Sequence, residues 1–420
     1  MRVLLIGSGG REHALAAALV RSPSVEHVFC ANGNPGIGEI AELKCINEVD
    51  AGQVLELTRE VHADLVVIGP EAPLVAGVAD RLRDAGFAVF GPGAAAAQIE
   101  GSKAFAKDVM ASAGVDTARY IACDDIETAL DALHEFDEQV VVKADGIAAG
   151  KGVLLCHSHD EARDALSLIM EDEAFGEAGA RVVVEEMMTG PEASLFFLSD
   201  GKTVKPLPSA QDFKRVFDGD QGLNTGGMGA YSPVPAVDDA MANELATTIA
   251  QPVIDELARR GMPFIGLLYA GLMLTPTGVR VVEFNCRFGD PETQAILPRL
   301  RSDLGEVLLA CAQGRLDEIG DLDIDPRDAV TVVLASGGYP GDYRTGLPIT
   351  GLNQVHNVAV FHAGTATKDG QLVTKGGRVL AVTALGSSIR DARETVYDAV
   401  DTIQFDGKHA RRDIAEYPTV

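Results

Sequence analysis

The sequence predicts a multidomain protein of α/β and α+β class, with an N-terminal parallel α/β domain, a two-part centre and a small C-terminal β-rich domain. Three observations lead there. Short apolar runs near the N-terminus end in glycine and alternate with helical patterns, the signature of a parallel sheet. Past residue 103 the texture changes to paired strands, with Asp200-Gly201 as a tight hairpin turn. From residue 329 short strands lead to one closing helix. A chain of 420 residues is too long for one ordinary core, so roughly two to four units are expected.

In the first unit, residues 1–102, strands are predicted over 2–6, 27–31, 64–68 and 88–90, with a helix over 12–21. Their carboxyl ends carry Gly7-Ser8-Gly9-Gly10, Gly69-Pro70-Glu71 and Gly91-Pro92-Gly93, and parallel sheets bind ligands at such ends. The second unit, 103–325, opens with a helix over 104–113. Strands over 140–143, 152–156, 181–187 and 193–198, with a helix over 161–170, predict an antiparallel α+β subdomain. The Asp200-Gly201 turn joins 195–199 to 202–206. Residues 210–231 mix Gly, Asp and basic side chains without apolar periodicity and predict a long functional loop. A helix over 251–260 and a strand pair over 267–274 and 278–284 follow, and the acidic stretch 317–327 reads as a linker. The third unit, 326–420, begins with a strand over 329–335, turns at Ser336-Gly337-Gly338-Tyr339-Pro340-Gly341 and ends in a helix over 389–403.

Composition narrows the function. Hydrophobic residues make up 46% and aromatics only 5%, as in soluble α/β proteins. A formal net charge of −27 argues against a nucleic-acid or anionic-membrane partner, though a local basic pocket can coexist with it. The six cysteines are scattered with no C-x-x-C pair, which suits a reducing compartment and neither a zinc site nor a disulfide framework. No apolar run reaches the length of a membrane span, and the apolar segment 3–6 is too short for a signal peptide. A cytoplasmic location is expected.

The stretch from Val281 to Glu292 carries the most chemistry. Glu283 and Asn285 fall on one face of a strand. A carboxylate beside an amide is a hard oxygen pair, suited to Mg²⁺ bridging phosphates. Arg287 shares their parity and is placed to meet a transferring phosphoryl group. A solvated edge strand would show the same pattern. Upstream, Lys143 and Lys151 bracket a loop of small residues that includes Gly146 and Gly150 and runs into Gly152. Lysines suit polyphosphate, and glycines let backbone close over it. A strand follows rather than a helix, so this is not a Walker A loop; a plain Gly-rich hairpin is the alternative.

Glu185-Glu186-Met187-Met188 ends a strand where backbone could read an adenine edge, with Glu192 beyond it for ribose hydroxyls and the methionines as a polarisable surface. An amphipathic hairpin is the simpler reading. Gly7-Ser8-Gly9-Gly10-Arg11-Glu12-His13 opens a helix whose N–H groups could hold a phosphate. It fails as a dinucleotide fingerprint, because Glu12 replaces the third glycine and Cys30-Ala31-Asn32 lacks the ribose-binding acid. A monophosphate site or a simple tight turn remains, and His13 reads as a structural histidine. The segments 211–215, 218–222 and 224–229 suit a lid that excludes water, or else a disordered surface loop.

Taken together, these residues resemble the glycinamide ribonucleotide synthetase family (phosphoribosylamine–glycine ligases) of the ATP-grasp group. The resemblance spans essentially the whole chain and keeps order and spacing through 7–13, 69–71, 100–105, 143–152, 224–231, 268–272, 283–294, 336–341 and 375–378. It implies purine-biosynthetic ligation of glycine to 5-phosphoribosylamine through a glycyl phosphate, with ATP as co-substrate and Mg²⁺ or Mn²⁺ as cofactor, by a monomer.

The resemblance also implies residue roles. Glu283 and Asn285 match the metal ligands. Lys103, Lys143, Gly150, Lys151 and Gly152 match the phosphate-holding set, in a subdomain over 120–190 that covers ATP. Glu185, Glu186 and Met188 match the adenine hinge, and Glu192 the ribose contact. Arg287, Asp212, Lys214 and Asp290 fall among catalytic and glycine-binding positions, Asp212 and Asp290 for the ammonium and Arg287 for the carboxylate and phosphoryl group. Gly9, Gly10, Arg11, Gly69, Pro70 and Glu71 match the phosphoribosylamine pocket, with Lys375 and Arg378 closing over its phosphate. Two positions depart from the family: Phe213 stands where His is common, and Tyr269-Ala270-Gly271-Leu272-Met273 offers no second acidic metal ligand. Another ATP-grasp enzyme of purine metabolism, such as a carboxyaminoimidazole ribonucleotide synthase, is disfavoured by the Asn224-Thr225-Gly226-Gly227-Met228-Gly229 loop. A nicotinamide dehydrogenase is disfavoured by Glu12 and Asn32. A non-catalytic nucleotide sensor is disfavoured by the complete metal and lysine set.

Overall fold

A computed structural model describes residues 1–146, 152–171 and 179–416. Three sheets organise it. The first is parallel and five-stranded, in the order Glu42–Lys44, His27–Asn32, Arg2–Gly7, Leu65–Ile68, Ala88–Phe90. Val3, Leu4, Leu5 and Ile6 are fully buried, because helices cover both faces of a parallel sheet. The predicted strands and first helix are present, the helix starting at Gly10 and ending at Arg21. Helices over Ala51–Glu60, Glu71–Val75, Val78–Asp84 and Ala94–Gly101 were not anticipated.

The second sheet is antiparallel and four-stranded, in the order Tyr120–Cys123, Val182–Glu186, Val140–Ala144, Val153–Cys156. The expected fourth member, 193–198, does not belong to it. That segment lies in the strand Glu192–Asp200, whose Leu195, Phe196, Phe197 and Leu198 are buried on both faces in the third sheet. The four-residue strand Tyr120–Cys123 takes its place, too short to show a period. The core of this subdomain is built from residues 121–184 alone.

The third sheet has eight strands, all antiparallel neighbours: Gly278–Asn285, Ile265–Thr275, Glu192–Asp200, Val204–Asp212, Gly229–Ser232, Asp328–Ala335, Arg378–Gly386, Val358–His362. The Asp200-Gly201 hairpin turn is as predicted, with Gly201 at φ 92°. Residues 210–231 are not a loop. Their ends pair within this sheet, and the middle folds as a small hairpin of Arg215–Phe217 and Gln221–Asn224. Strands of three and four residues, with Phe217 and Leu223 exposed, leave no periodic trace in sequence. The C-terminal strands continue the central sheet, since Gly229–Ser232 pairs with Asp328–Ala335. Among the described residues no helix is long and apolar enough to cross a membrane.

The first helix packs on the last strand of this sheet through two histidines. His13 Nδ1 accepts the backbone N–H of His362 at 2.8 Å, and Asn34 donates to the His362 carbonyl at 2.7 Å. The structural reading of His13 therefore fits its surroundings. Burial, reinforced by His362, pushes His13 down to about 3, and burial pushes His362 down to about 4. Both are native as neutral rings. Their contribution to stability is complete above the ordinary histidine value of about 6.5 and is lost as pH falls through the depressed values. The melting midpoint is therefore expected to fall from pH 6.5 to pH 4. His13→Asn, whose amide oxygen can accept the same N–H, should show a shallower acid limb in calorimetry.

Candidate active site

A cleft of about 760 Å³ lies between the edge strand Gly278–Asn285, the four-stranded subdomain, the carboxyl edge of the parallel sheet and the C-terminal strand that begins at Arg378. Glu283 and Asn285 both line it. The residue opposite Glu283 in the neighbouring strand is Gly271, and Tyr269 lies opposite Asn285. The strand next to Glu283 thus supplies no second carboxylate, as its sequence foretold. Burial would raise the Glu283 carboxyl, yet Lys103, Lys214, Lys143 and Arg287 together hold it below its ordinary value. Four cations from four parts of the chain converge on one carboxylate.

Each cation reaches the cleft by a different route. Lys143 closes the strand Val140–Ala144 and is 3% exposed. It pairs with Glu185 at 2.9 Å and donates to the Val282 carbonyl at 3.3 Å. The other oxygen of Glu185 lies 3.1 Å from Lys107, one turn into the helix Lys103–Ala113. Burial, only partly offset by Glu185, pulls Lys107 down to about 8. Lys214 pairs with Glu192 at 2.6 Å. Burial opposes its charge, but Asp212 and Glu192 outweigh it and hold Lys214 well above its ordinary value. Arg287 pairs with Glu100 at 2.8 Å and Glu71 at 3.2 Å, and donates to the Phe288 carbonyl at 3.2 Å. A guanidinium has five N–H donors, so some remain for a ligand.

The expected adenine hinge lies on the wall. The strand Val182–Glu186 ends at Glu186, and Met187 and Met188 run on along the cleft to Glu192. The carboxylates of this segment face elsewhere: Glu185 to the two lysines, Glu186 to Arg280 at 2.6 Å and to the Arg119 N–H at 2.8 Å. Backbone, not these side chains, is what the segment offers a base. Gly152 lines the cleft, whereas Gly150 and Lys151 lie outside the described residues.

The glycine turn differs from a phosphate cradle. The Gly9 N–H donates to Glu12 Oε2 at 2.7 Å, and Glu12 also pairs with Arg11 at 2.5 Å. Gly69 and Gly7 make room for that carboxylate, since a Cβ at Gly69 would lie 2.2 Å from Glu12 Oε1. The anion already housed there is the chain's own. Of the expected pocket, Arg11 and Glu71 line the cleft, while Gly9, Gly10, Gly69 and Pro70 are set back behind Glu12 or against the C-terminal part. Lys375 is exposed and does not line the cleft. Arg378 does, donating to the carbonyls of Asp290 at 2.7 Å and Gly226 at 2.5 Å. The Asp290 carboxylate is held by Gln294 at 2.7 Å and by Arg378 at 3.4 Å, which leaves it poorly placed to receive an ammonium. Phe213 packs with Tyr231 and under the Arg411 guanidinium, an apolar wedge where a histidine was the family's usual choice.

Sequence reasoning missed Glu100, Lys107, Tyr269 and Glu292. Glu100 also accepts the Cys286 N–H at 2.8 Å and so anchors the turn that carries Arg287. Only a helical position in a quoted segment hinted at it.

Two sheets closing on a cleft rich in lysine and carboxylate, with hard oxygen ligands on an edge strand, define an ATP-grasp protein. The chain belongs to the phosphoribosylglycinamide synthetase family. Family models match it as the N domain over residues 1–100, the ATP-grasp (A) domain over 101–293 and the C domain over 329–417. It is 52% identical to a phosphoribosylamine–glycine ligase of Streptomyces coelicolor, covering 99% of each chain, and 48% identical to that of Rhodopirellula baltica, covering 99% of this chain and 97% of that protein. Its fold is similar to the crystal structure of phosphoribosylamine–glycine ligase from Thermotoga maritima, with a TM-score of 0.85, 33% identity, and 99% and 100% of the two chains covered. A biotin carboxylase of Campylobacter jejuni shares the fold alone, at a TM-score of 0.75 and 15% identity over 99% and 95% of the chains.

The Lys107–Glu185–Lys143 cluster yields a direct test. Glu185→Ala strands two buried ammonium groups and should cost about 3–5 kcal/mol of unfolding free energy, read from urea denaturation. Replacing all three with Met or Leu should recover much of that stability.

Proposed function

We propose that this chain uses ATP to ligate glycine to 5-phosphoribosylamine, giving glycinamide ribonucleotide, ADP and phosphate, as a cytoplasmic monomer. The observation that carries this reading is the convergence of Lys103, Lys143, Lys214 and Arg287 on Glu283. So many cations around one carboxylate make a site for a polyanion with its counter-ion. Glu283 and Asn285 are a hard oxygen pair on one strand face, and the ionised state of Glu283 fits a divalent cation. They would hold Mg²⁺ or Mn²⁺, which when bound neutralises the triphosphate and draws charge from its γ-phosphoryl group.

A carboxylate is a poor electrophile. Transfer of the γ-phosphoryl to the glycine carboxylate supplies a leaving group, and the phosphoribosylamine nitrogen then displaces phosphate. The protein's part is positioning and electrostatic stabilisation. Lys103 and Lys143 hold phosphates. Backbone at 186–188 reads the adenine edge, and Glu192 accepts ribose hydroxyls. Arg287, fixed by Glu71 and Glu100, offers its remaining N–H groups to the reacting carboxylate. Arg11, Glu71 and Arg378 face phosphoribosylamine. The self-contained core of residues 121–184 supports a subdomain over 120–190 that swings as a unit over ATP, within a division into 1–102, 103–325 and 326–420.

Omitting each substrate in turn checks the reaction: ADP release should need both glycine and Mg²⁺, and full turnover should need phosphoribosylamine. Equal ADP release without glycine would sink the ligase reading. Glu283→Ala should lower metal-dependent turnover by about 10²–10³-fold with an unchanged melting profile. Near-normal activity would remove Glu283 from the metal site.

A further inference from the structure

The hairpin of Arg215–Phe217 and Gln221–Asn224 is too small to hold its own shape. Two short strands alone are marginal in water, and Phe217 and Leu223 on this pair are exposed. Its anchors come from near the far end of the chain. The Val216 carbonyl meets His409 Nε2 at 2.7 Å, Asp218 accepts the Arg412 backbone N–H at 2.7 Å, and the Gly219 N–H donates to Asp413 at 2.8 Å. At the centre of these contacts is Arg411, whose side chain is fully buried although it lies in no helix or strand.

The Arg411 guanidinium is engaged along its edge and on its face. Nε and one terminal nitrogen form a bidentate pair with Asp413, at 2.8 and 2.6 Å. The other terminal nitrogen donates to Asp220 at 2.8 Å and to the Arg215 carbonyl at 3.0 Å. The central carbon sits over the Phe213 ring, 5.0 Å from its centre. Phe213 and Arg215 are the two chain neighbours of Lys214, so one side chain grips the backbone on both sides of that lysine. The Lys214 carbonyl is held as well, by the Thr225 N–H and hydroxyl, each at 2.8 Å. The Lys214 ammonium is thus directed into the cleft, where it pairs with Glu192 at 2.6 Å and its charge acts on Asp212 and Glu283. Arg411 does not itself line the cleft. It is braced from the helix Ile389–Thr402, where Tyr397 donates to the Arg411 carbonyl at 2.8 Å and Arg393 to the Arg412 carbonyl at 2.6 Å.

We propose that Arg411 is a positioning residue for ATP binding: by clamping Phe213 and Arg215 it sets Lys214 against Glu192 and near Glu283, and so makes the last segment of the chain part of the nucleotide site. The assignment rests on the ATP-dependent ligase reading and deepens it. A tie between that segment and a surface hairpin needs no buried charge, and apolar packing would serve it at lower cost. What the arginine adds is direction. Its planar fork meets a carboxylate, a carbonyl and a ring at once in fixed geometry, which the single nitrogen of a lysine cannot do. The next turn has its own anchors. Gly226 donates its N–H to the Tyr339 hydroxyl at 3.0 Å and accepts from Arg378, so the phosphoribosylamine side of the cleft does not depend on Arg411.

Arg411→Lys keeps a charge beside Asp413 and lets go of Arg215 and Phe213. The Kd for ATP with Mg²⁺, read by calorimetry, should rise by about 30-fold, the loss of a charge-assisted hydrogen bond. The KM for phosphoribosylamine should stay within about threefold, inside the scatter of indirect effects. The deciding measurement is a double-mutant cycle with Lys214→Met. Once Lys214 is gone, Arg411→Lys should weaken ATP binding by less than about threefold more, because it has no lysine left to position. A merely structural arginine would give additive losses, and additivity overturns the assignment, as does an unchanged Kd in Arg411→Lys. Phe213→Leu keeps apolar bulk and removes the ring under the guanidinium; it should raise the Kd by about fivefold. Wild-type affinity in that variant overturns the clamp even where Arg411→Lys fails to fold. ATP binding is read without the other substrates. A wild type that binds ATP yet shows no glycine-dependent ADP release therefore overturns the ligase reading and leaves the cycle to judge Arg411. A wild type that binds no ATP overturns both.

Discussion

Arg287 sits where two distant parts of the chain meet the cleft. Its guanidinium takes one carboxylate from Glu71, which opens the helix after the strand Leu65–Ile68, and another from Glu100, in the helix Ala94–Gly101 two helices further on. Glu100 turns its second oxygen to the N–H of Cys286, so the same carboxylate fixes the cation and the backbone that carries it. A buried charge without a partner costs several kcal/mol, so these elements cannot drift apart without exposing or orphaning a charge. The rule repeats around the cleft. Glu185 holds Lys107 and Lys143, Glu192 holds Lys214, and Asp290 holds Arg378 from the C-terminal strand. Charge pairing at the site adds to the apolar cores that already run through all three units.

The same pairing explains how an acidic protein can receive ATP. A formal charge of −27 repels a polyphosphate at a distance. Around Glu283 the local balance differs, because Lys103, Lys214, Lys143 and Arg287 together hold its carboxyl below its ordinary value. Their carboxylate partners Glu71, Glu100, Glu185 and Glu192 line the same cleft beside them. Screening shrinks the repulsion beyond about 8–10 Å at physiological salt, while the buried pairs are screened far less. The global charge therefore governs solubility and the local charge governs binding.

What could be read from sequence was what depends on neighbours along the chain. Alternation placed Glu283 and Asn285 on one face, and glycines after apolar runs marked the carboxyl ends of parallel strands. What could not be read depends on distant neighbours. Glu12 looked like a flaw in a glycine-rich phosphate turn. Its meaning lies in Gly69, nearly sixty residues away, whose missing Cβ gives the carboxylate room to occupy the Gly9 N–H. Residues 210–231 looked like a loop because their pairing partners are remote, Gly229–Ser232 finding Asp328–Ala335 about a hundred residues on. Glu100 and Lys107 sit on helices where a charge reads as solvated until its buried partner is known. Glu292 was the last residue of the segment judged most telling, yet the burial of its carboxylate is a fact about space, not spacing.

The edge position of Gly278–Asn285 resolves an apparent conflict. A solvated edge strand and a metal-bearing strand were set against each other as rival readings, and the strand is indeed an edge of the eight-stranded sheet. An edge is what the chemistry needs. A central strand would have sheet neighbours on both sides and no rim open to the cleft. Here the outer rim is bonded up to Val282: Val281 N–H bonds to the Asp116 carbonyl at 2.8 Å, the Thr117 hydroxyl donates to the Val281 carbonyl at 2.6 Å, and Lys143 from the facing subdomain reaches the Val282 carbonyl. These contacts hold the second sheet and the segment that leads into it near the edge, while Glu283 and Asn285 beyond them line the cleft. Unsatisfied edge strands invite aggregation, and proteins blunt them with charge or cover. In this fold the cover is the four-stranded subdomain, so the same contact that protects the edge also builds the cleft.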